Sequence, residues 1–536
     1  MQKLVLLGDE AIAQAAIDAG ITGIYAYPGT PSTEITEYIQ RSGEAKEKGI
    51  RSSWSANEKT AMEAALGMSY AGKRTMVCMK HVGLNVAADP FVNSAITGAN
   101  GGIIVVAADD PSMHSSQNEQ DSRFYGKFAM IPVLEPVNQQ EAYDMVHYGF
   151  DISEKYRIPV MLRITTRLAH SRAGVQRKDS RKQNELKLPK NLTQFVLLPS
   201  IARKQYKDLI RNQENFNNES ETSGFNEYFE GQDKSRGIIT SGIAYNYLME
   251  NYSDRICPNP LLKICQYPLP GKLLKKISEE CDELLLIEEG APFIEESLKG
   301  VLGNCLKVKG RLDGTVPRDG ELNPNIVARA LGFEDTRGRD VPAIVAARPP
   351  SLCAGCPHID SYLGLNSVLE EFTPGRVFAD IGCYTLGALP PYNSVNSCVD
   401  MGASITMAKG ASDAGLKPAV AVIGDSTFTH SGITGLLDAV NDKTPITVFI
   451  LDNATTGMTG GQKSAANGRI EHICLGLGVE KEHLHVINPM RKYHVENIKI
   501  IQEELNYDGV SVIIPRRECI QTIGKNKKED KLKKGE

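Results

Sequence analysis

The fold of the last third of this 536-residue chain follows from one short run, Ala419-Val420-Ala421-Val422-Ile423-Gly424-Asp425-Ser426. Five consecutive apolar residues predict a strand buried on both faces, as in a parallel sheet. The strand leads directly into a Gly-Asp-Ser turn. A second apolar run, Ile446–Leu451, ends just before Asn453, which lies 28 residues after Asp425. Both polar residues are therefore predicted at carboxyl ends of strands, where parallel α/β sheets bind ligands.

An Asp carboxylate and an Asn amide oxygen at such strand ends predict a magnesium site. Mg²⁺ takes hard oxygen ligands in octahedral geometry and commonly combines one or two carboxylates with phosphate oxygens. Gly424 allows the turn to approach a diphosphate closely. The alternative interpretation is two ordinary turns after strands, without a ligand.

Composition excludes some classes of function. The net charge is −5, which gives no electrostatic case for a nucleic-acid partner. The first nine residues turn polar too early for a signal peptide, and no run approaches the ~18 apolar residues of a membrane span. Eleven cysteines without a secretory signal favour cytosolic thiols, some of them metal ligands, and predict a cytoplasmic protein. Residues 524–536 hold six lysines and are predicted to be a disordered tail, or a docking segment for an acidic partner.

Alternating strand and helix patterns predict an α/β protein with two large parallel-sheet domains around a smaller one. Residues 212–234 are rich in Asn, Glu, Ser and Gly and are predicted to form a mobile loop or insertion. The expected segments are a first domain over 1–178, a linker with a polar insertion over 179–236, a small α/β domain over 237–340, a last domain over 341–523, and the tail.

Four cysteines form a candidate metal site. Cys353 and Cys356 have the x2 spacing found in zinc sites, thiol–disulfide enzymes and iron–sulfur proteins. The second x2 pair of a zinc ribbon is missing, but Cys383 and Cys519 follow in the same domain. Buried free thiols are the alternative interpretation, with Cys398 as a reserve ligand. The remaining cysteines are predicted to be structural or incidental: Cys78, Cys257, Cys265, Cys281, Cys305 and Cys474.

The first domain offers a candidate catalytic carboxylate. Glu58 follows a predicted strand, 50–54, and precedes a helix rich in small residues. A carboxylate at a helix N-terminus also has an ordinary role, because it interacts favourably with the helix dipole. Upstream, Tyr27-Pro28-Gly29-Thr30-Pro31-Ser32 is predicted to be a turn from a strand to a helix.

Together these motifs resemble the 2-oxoacid:ferredoxin oxidoreductase superfamily, and within it the α subunits of indolepyruvate:ferredoxin oxidoreductases. Further matches lie at residues 79–85, 107–121, 348–350 and 399–403, and the resemblance covers about residues 1–180 and 235–520. It implies two thiamine-diphosphate-binding-type domains with a smaller domain between them that is like the transketolase C-terminal domain. It also implies thiamine diphosphate, Mg²⁺ and a [4Fe–4S] cluster as cofactors.

The resemblance assigns roles to residues. Asp425, Asn453 and the carbonyl of Thr455 would hold Mg²⁺. Glu58, with Glu63 as the weaker candidate, would bind N1′ of the thiamine aminopyrimidine. Thr30 and His81 would act in catalysis. The four cysteines Cys353, Cys356, Cys383 and Cys519 would hold the cluster. Further cofactor contacts would come from Gly424, Ser426, Gly457, Met458, Thr459, Gly382 and Tyr384, and candidates for contacts to substrate or coenzyme A are His114, Gln117 and Arg123.

The implied reaction is oxidative decarboxylation of an arylpyruvate to an aryl-acyl-CoA and CO₂, with electrons passed through the cluster to ferredoxin. The implied partners are a smaller β subunit, ferredoxin and coenzyme A, in an α2β2 assembly or an α dimer. This family usually carries a C-terminal ferredoxin-like domain, whose two four-cysteine runs are missing here. Electrons are therefore expected to leave from the cluster near thiamine. Two alternatives stay open: a cluster-free, non-oxidative thiamine-dependent decarboxylase or synthase, and a catalytically degenerate assembly subunit.

Overall fold

The computed structural model describes residues 3–191, 193–300, 307–334, 340–346, 350–373 and 376–523. They fall into two compact units, Met1–Arg339 and Asp340–Glu536. Among the described residues, no helix is both long and apolar enough to cross a membrane. The predicted tail at 524–536 lies outside the described residues, as do Cys305, Arg348 and Pro349.

The first unit alternates strands and helices, as the sequence predicts. Its elements are β1 (Lys3–Leu7), α1 (Gly8–Asp18), β2 (Gly23–Ala26), α2 (Thr33–Arg41), α3 (Gly43–Glu47), β3 (Arg51–Trp54), α4 (Glu58–Tyr70), β4 (Thr75–Lys80), α5 (His81–Val86), α6 (Ala88–Thr97), β5 (Ile103–Asp109), α7 (Arg123–Ala129), β6 (Val133–Leu134), α8 (Gln139–Tyr156), β7 (Val160–Thr165), α9 (Thr166–His170), β8 (Arg172–Gln176), α10 (Pro199–Thr222), β9 (Glu227–Phe229), β10 (Gly237–Ser241), α11 (Ala244–Met249), β11 (Leu261–Ile264), β12 (Gln266–Tyr267), α12 (Gly271–Glu280), β13 (Glu283–Ile287), α13 (Phe293–Lys299), β14 (Lys307–Lys309) and α14 (Pro324–Leu331).

Two larger sheets organise this unit. A seven-stranded sheet has the order β12-β6-β7-β5-β4-β2-β3 and is parallel except for the pair β12–β6. A five-stranded sheet has the order β14-β13-β10-β11-β9, with only β9 antiparallel. Every residue of β4 and β5 is buried, which explains their continuous apolar sequences. Because β5, β4, β2 and β3 are parallel neighbours in the seven-stranded sheet, their carboxyl ends lie side by side at one edge of that sheet.

Within the polar stretch at 212–234, the prediction of a mobile loop was wrong for residues 212–222 and 227–229, which lie in a helix and a strand, whereas residues 223–226 and 230–234 lie in neither. Helix α10 continues through Thr222, and β9 then pairs with β11. Phe216 is buried against Tyr156, so a few apolar contacts hold a helix whose composition is mostly polar. Tertiary packing outweighs the local composition here.

The second unit contains a six-stranded, wholly parallel sheet with the order β16-β15-β17-β18-β22-β21 and a small antiparallel pair, β19–β20. Its elements are α15 (Pro357–Leu369), β15 (Val377–Ala379), β16 (Ser397–Cys398), α16 (Ala403–Asp413), β17 (Val420–Gly424), α17 (Asp425–Thr427), α18 (Ile433–Asn441), β18 (Ile446–Leu451), β19 (Thr455–Thr456), β20 (Gln462–Lys463), α19 (Ile470–Gly476), β21 (Leu484–Ile487), α20 (His494–Leu505) and β22 (Val510–Pro515). The neighbouring central strands β17 and β18 are entirely buried, and the α/β fold class is confirmed.

Candidate active site

Asp425 begins the short helix α17 at the carboxyl end of β17 and is buried. Its Oδ2 has no hydrogen-bond partner among the described residues. Burial, followed by the nearby charge of Asp452, raises the pKa of the Asp425 carboxyl to about 7. A buried carboxylate oxygen without a donor is unfavourable, and a bound cation removes that cost. The chemistry of this oxygen therefore fits a Mg²⁺ ligand.

Asn453 follows β18, the strand next to β17, and is also buried. Its Oδ1 accepts a hydrogen bond from the Thr455 backbone N–H at 3.1 Å, and its Nδ2 lies 3.3 Å from Nε2 of His358. Burial lowers the pKa of His358 to about 4, so this imidazole is neutral at pH 7 and accepts from the Asn453 amide. The contact orients the amide oxygen of Asn453. His358 is a positioning residue that sequence reasoning missed, although it directly follows the Cys-x2-Cys-Pro motif.

Two glycines pack closely against the Tyr384 ring and so shape the turn after β17. A Cβ on Gly424 would lie 2.6 Å from Cε1 of Tyr384, and one on Gly382 would lie 2.2 Å from the same atom. The hydroxyl of Tyr384 donates to Asp380, which also accepts from Ser404 Oγ at 2.5 Å. Tyr384 is therefore buried beneath the strand ends and supports the turn, with its hydroxyl already bound.

The loop predicted to cover the diphosphate begins at a 3₁₀ turn, Gly457–Thr459, that contains no buried residue. Thr459 Oγ1 donates to Gln462 Oε1 at 2.6 Å, and Met458 is largely exposed. Thr456 Oγ1 donates to Ser426 Oγ at 3.0 Å. A hydrogen bond between two hydroxyls thus joins this segment to the Gly-Asp-Ser turn.

The four predicted cluster ligands come together in the second unit. Burial, followed by the charges of Cys519, Cys356 and Cys353, raises the pKa of the Cys383 thiol to about 11. In the described part of the chain, no three of these sulfurs lie mutually within 4.8 Å.

Cys398 is separate from this group. Its Sγ lies 3.6 Å from the carbonyl oxygen of Asp380, and its pKa is raised by burial and by Asp380 and Asp400, without a contribution from the other cysteines. The four predicted cluster ligands lie beside Asn453, a predicted Mg²⁺ ligand, because the backbone N–H of Cys519 donates to the Asn453 carbonyl at 3.2 Å. A Cβ on Gly457 would lie 3.1 Å from Cys383 Sγ.

In the first unit, Glu58 is the first residue of α4 and is buried. Its carboxylate packs against the backbone of α5, where a Cβ on Gly83 would lie 2.4 Å from Oε1. Glu63, the weaker candidate, is half-exposed on the same helix and pairs with Lys59. Only Glu58 has the enclosed setting that a carboxyl against a cofactor ring needs.

Polar residues that follow β2, β4 and β5 lie at the same edge of the seven-stranded sheet as Glu58, which follows β3. Thr30 follows β2, and its carbonyl accepts from Ser115 Oγ at 3.4 Å. His81 begins α5 and is buried; its Nε2 lies 3.3 Å from the Asn118 carbonyl, while Nδ1 has no partner among the described residues. A carbonyl only accepts, so Nε2 is the donor in this contact, and Nδ1 is the ring nitrogen left for a ligand.

Lys80, the last residue of β4, is a second residue that sequence reasoning missed. It is buried, and its Nζ donates to the carbonyl and Oγ of Ser115 at 2.7 and 3.1 Å. Among the described residues, no carboxylate oxygen lies within 4.0 Å of Nζ. Burial lowers the pKa of Lys80 to about 8, and Asp110 partly opposes that shift. A buried ammonium without an ion pair is a ready binding group for an anionic ligand.

The other predicted substrate or coenzyme contacts have different settings. Gln117 is exposed on the loop after β5, and His114 pairs on the surface with Glu321 at 3.1 Å. Arg123 is fully buried and donates to Asp121 and Glu288. With its guanidinium occupied in this way, Arg123 has a structural role, and its predicted contact with a ligand finds no support.

Arg123 belongs to a buried ionic network that ties the loop after β5 to the five-stranded sheet. The second arginine, Arg163, donates to Asp109 at 2.6 Å and to Glu135. Some of its ion pairs join distant segments, as Arg123 and Glu288 do across 165 positions, which is why no local pattern revealed the network. The network is buried and internally paired, as such charges must be.

Two family models of thiamine-dependent enzymes match the chain. A model of the pyruvate flavodoxin/ferredoxin oxidoreductase thiamine-diphosphate-binding domain matches residues 14–216. A model of the C-terminal thiamine pyrophosphate-binding domain of thiamine enzymes matches residues 380–484.

Curated relatives match along almost the whole chain. The indolepyruvate oxidoreductase subunit IorA of Archaeoglobus fulgidus is 39% identical over 97% of this chain and 86% of the relative. The subunit IorA of Pyrococcus horikoshii is also 39% identical, over 99% of this chain and 88% of the relative. Among solved structures, the 2-oxoglutarate:ferredoxin oxidoreductase of Magnetococcus marinus shares the fold, with a TM-score of 0.51 and 16% identity over 62% of this chain and 65% of that chain.

Proposed function

The chain belongs to the indolepyruvate oxidoreductase family of thiamine-diphosphate-dependent enzymes, and on that premise we propose that it oxidatively decarboxylates arylpyruvates to an aryl-acyl-CoA and CO₂. We propose ferredoxin as the electron acceptor, reached through a [4Fe–4S] cluster, and a smaller β subunit as the partner. Indolepyruvate, phenylpyruvate and hydroxyphenylpyruvate are the candidate substrates. A cytoplasmic location and an α2β2 or α-dimer assembly stay predictions.

In the second unit, Asp425, Asn453 and the Thr455 carbonyl would hold Mg²⁺ and, through it, the diphosphate. The unpartnered Oδ2 of Asp425 supports this proposal, because a divalent cation would stabilise the ionised carboxylate. His358 keeps the amide of Asn453 turned so that its oxygen, not its nitrogen, is available on the other side. Neutral His358 is needed for this role, since a protonated imidazole could not accept from the amide.

In the first unit, Glu58 would bind the aminopyrimidine ring and favour the tautomer that removes a proton from the thiazolium carbon. Thiamine diphosphate, when bound, supplies the carbon nucleophile and the electron sink for loss of CO₂. The packing of Glu58 against Gly83 supports the proposal, because a carboxyl with a fixed position can favour one tautomer consistently.

Lys80 would bind the substrate carboxylate. All 2-oxoacids carry this anion next to the reacting carbonyl, and Lys80 is a buried cation at the edge of the sheet that also holds Thr30 and His81. The Thr30 hydroxyl would donate to the substrate carbonyl oxygen. His81 Nδ1, which has no hydrogen-bond partner among the described residues, would hydrogen-bond a bound ligand.

One observation supports the proposal of an oxidative reaction. The backbone N–H of Cys519, a predicted cluster ligand, donates to the carbonyl of Asn453, a predicted Mg²⁺ ligand. A cluster held by these cysteines would lie close to the bound diphosphate and so to the site of electron release. Iron–sulfur clusters accept single electrons, which suits a two-electron oxidation carried out in two steps. A non-oxidative thiamine enzyme would have no use for four cysteines in that position.

The test is reduction of a ferredoxin or viologen dye by anaerobically purified chain with its β partner, across a panel of 2-oxoacids with coenzyme A. Arylpyruvates should support the fastest dye reduction. Glu58→Gln should abolish it while leaving magnesium–diphosphate binding intact, and Glu63→Gln on the exposed face of the same helix is the matched control. Release of CO₂ without dye reduction and without bound iron would contradict the oxidative proposal.

A further inference from the structure

Three metal-ligating side chains converge in the first unit, apart from the candidate active site. Asp9 lies in the first turn of α1, Glu34 in the first turn of α2, and His170 at the end of α9. One ligand atom from each lies within 4.8 Å of the others. Two carboxylates therefore face one imidazole, and the three come from separate elements of the chain.

The Asp9 carboxylate is buried among described residues that offer it no hydrogen-bond donor. Its side chain is fully buried, and neither of its oxygens has a hydrogen-bond partner among the described residues. Oε2 of Glu34 likewise has no hydrogen-bond partner among the described residues, and Nε2 of His170 lies 3.7 Å from it. Burial and the Glu34 charge raise the pKa of Asp9 well above its usual value. Two carboxylates in such contact need either a shared proton or a cation between them.

We propose that Asp9, Glu34 and His170 bind a divalent transition-metal ion, with Zn²⁺ as the expected occupant. The ligand set decides between cations, because Mg²⁺ and Ca²⁺ prefer oxygen alone whereas Zn²⁺ combines imidazole with carboxylates. Zn²⁺ bonds of about 2.0–2.2 Å bring tetrahedral ligand atoms to about 3.4 Å from one another, which small side-chain rotations achieve from this arrangement.

The site would be structural. His170 is 36% exposed, which leaves an entry path and room for a water as the fourth ligand. The ion would clamp α1, α2 and α9 together, and α2 directly follows the turn that contains Thr30. It would stabilise the first unit by removing the cost of the buried Asp9 charge.

The experiment measures bound Zn²⁺ by equilibrium dialysis of the full-length chain and compares wild type with Asp9→Asn and His170→Gln. Thiols bind Zn²⁺ too, but that background is the same in all three proteins. Wild type should bind one equivalent more than either variant, and Zn²⁺ should raise its Tm by about 2–4 °C beyond the rise in the variants. His483→Gln removes an imidazole that pairs with Glu504 in the second unit and should bind as much Zn²⁺ as wild type.

Asp9→Asn is nearly isosteric and removes a buried charge, so it should fold, with a metal-free Tm at or above that of wild type. A shared proton is the competing explanation. It predicts equal Zn²⁺ stoichiometry in wild type and both variants, together with the infrared band of a protonated carboxyl at pH 7 that Asp9→Asn abolishes. That result would overturn the metal site.

Discussion

Gly83→Ala tests whether the position of the Glu58 carboxylate controls activity. The new methyl carbon would lie 2.4 Å from Oε1, 2.7 Å from Cγ and 2.8 Å from Cδ of Glu58. Ordinary van der Waals contact requires about 3.5–4.0 Å, so the carboxylate must move by about 1 Å. Misplacement of a catalytic group by about 1 Å costs roughly 10²-fold in rate.

The expected effect of Gly83→Ala on stability is small, so a loss of activity can be distinguished from a loss of folded protein. Overpacking costs about 1–3 kcal/mol, but replacing Gly by Ala inside helix α5 returns close to 1 kcal/mol through helix propensity. Dye reduction by the chain with its β partner should therefore fall about 100-fold while the protein stays folded. Gly67→Ala in α4 is the matched control, because nothing lies within 4 Å of its added carbon. That variant should keep full activity.

A double-mutant cycle decides the cause of the loss. With Glu58→Ala in place, the clash disappears, so in that background Gly83→Ala should not lower the free energy of unfolding, whereas in wild type it should lower it by about 1–2 kcal/mol. The reasoning would be refuted if Gly83→Ala retained activity within about threefold of wild type, or if it changed the free energy of unfolding equally in both backgrounds.

Three further predictions follow from the site. Cys383→Ser should remove the visible absorption near 400 nm and the bound iron of anaerobically purified protein, whereas Cys398→Ser should keep both. Lys80→Met should raise KM for 2-oxoacids. In wild type, kcat/KM should fall as pH rises through about 8, because the Lys80 ammonium loses its charge. Lys80→Arg should move that fall in kcat/KM to higher pH. Without Mg²⁺, wild type should lose stability as pH rises from about 4 to about 7, because folded Asp425 holds its proton more tightly than the unfolded chain does. Denaturant titrations of the Asp425→Asn variant should lack this loss. In the same variant, Mg²⁺ with thiamine diphosphate should no longer raise the Tm.

Local sequence predicted much of the fold, including the two strands that precede the second unit's candidate site. The apolar runs before Asp425 and Asn453 are β17 and β18, and they are neighbours in one buried parallel sheet. Continuous burial on both faces demands continuous apolar sequence, so these strands are legible without any knowledge of their partners. Of the four cysteines, Cys353 and Cys356 were singled out by their x2 spacing, whereas Cys383 and Cys519 were added through the family resemblance.

Composition misled where packing outweighed it. Residues 212–222 are polar and were predicted as a loop, yet they continue α10, because buried Phe216 anchors the helix. Arg123 follows an acidic loop near the predicted site and was interpreted as a ligand contact. The structure buries it among carboxylates, one of them on Glu288, 165 positions away in the sequence.

The amino-acid order alone was enough for the α/β class, the strand-end positions of the polar residues and the family resemblance, because strand periodicity and turn chemistry are local properties. The packing of Glu58 against Gly83, the orientation of Asn453 by His358, the buried charge of Lys80 and the meeting of Asp9 with His170 appear only in three dimensions. Each of these depends on which elements pack side by side, and that is set by the burial of distant apolar faces, which no short window of sequence contains.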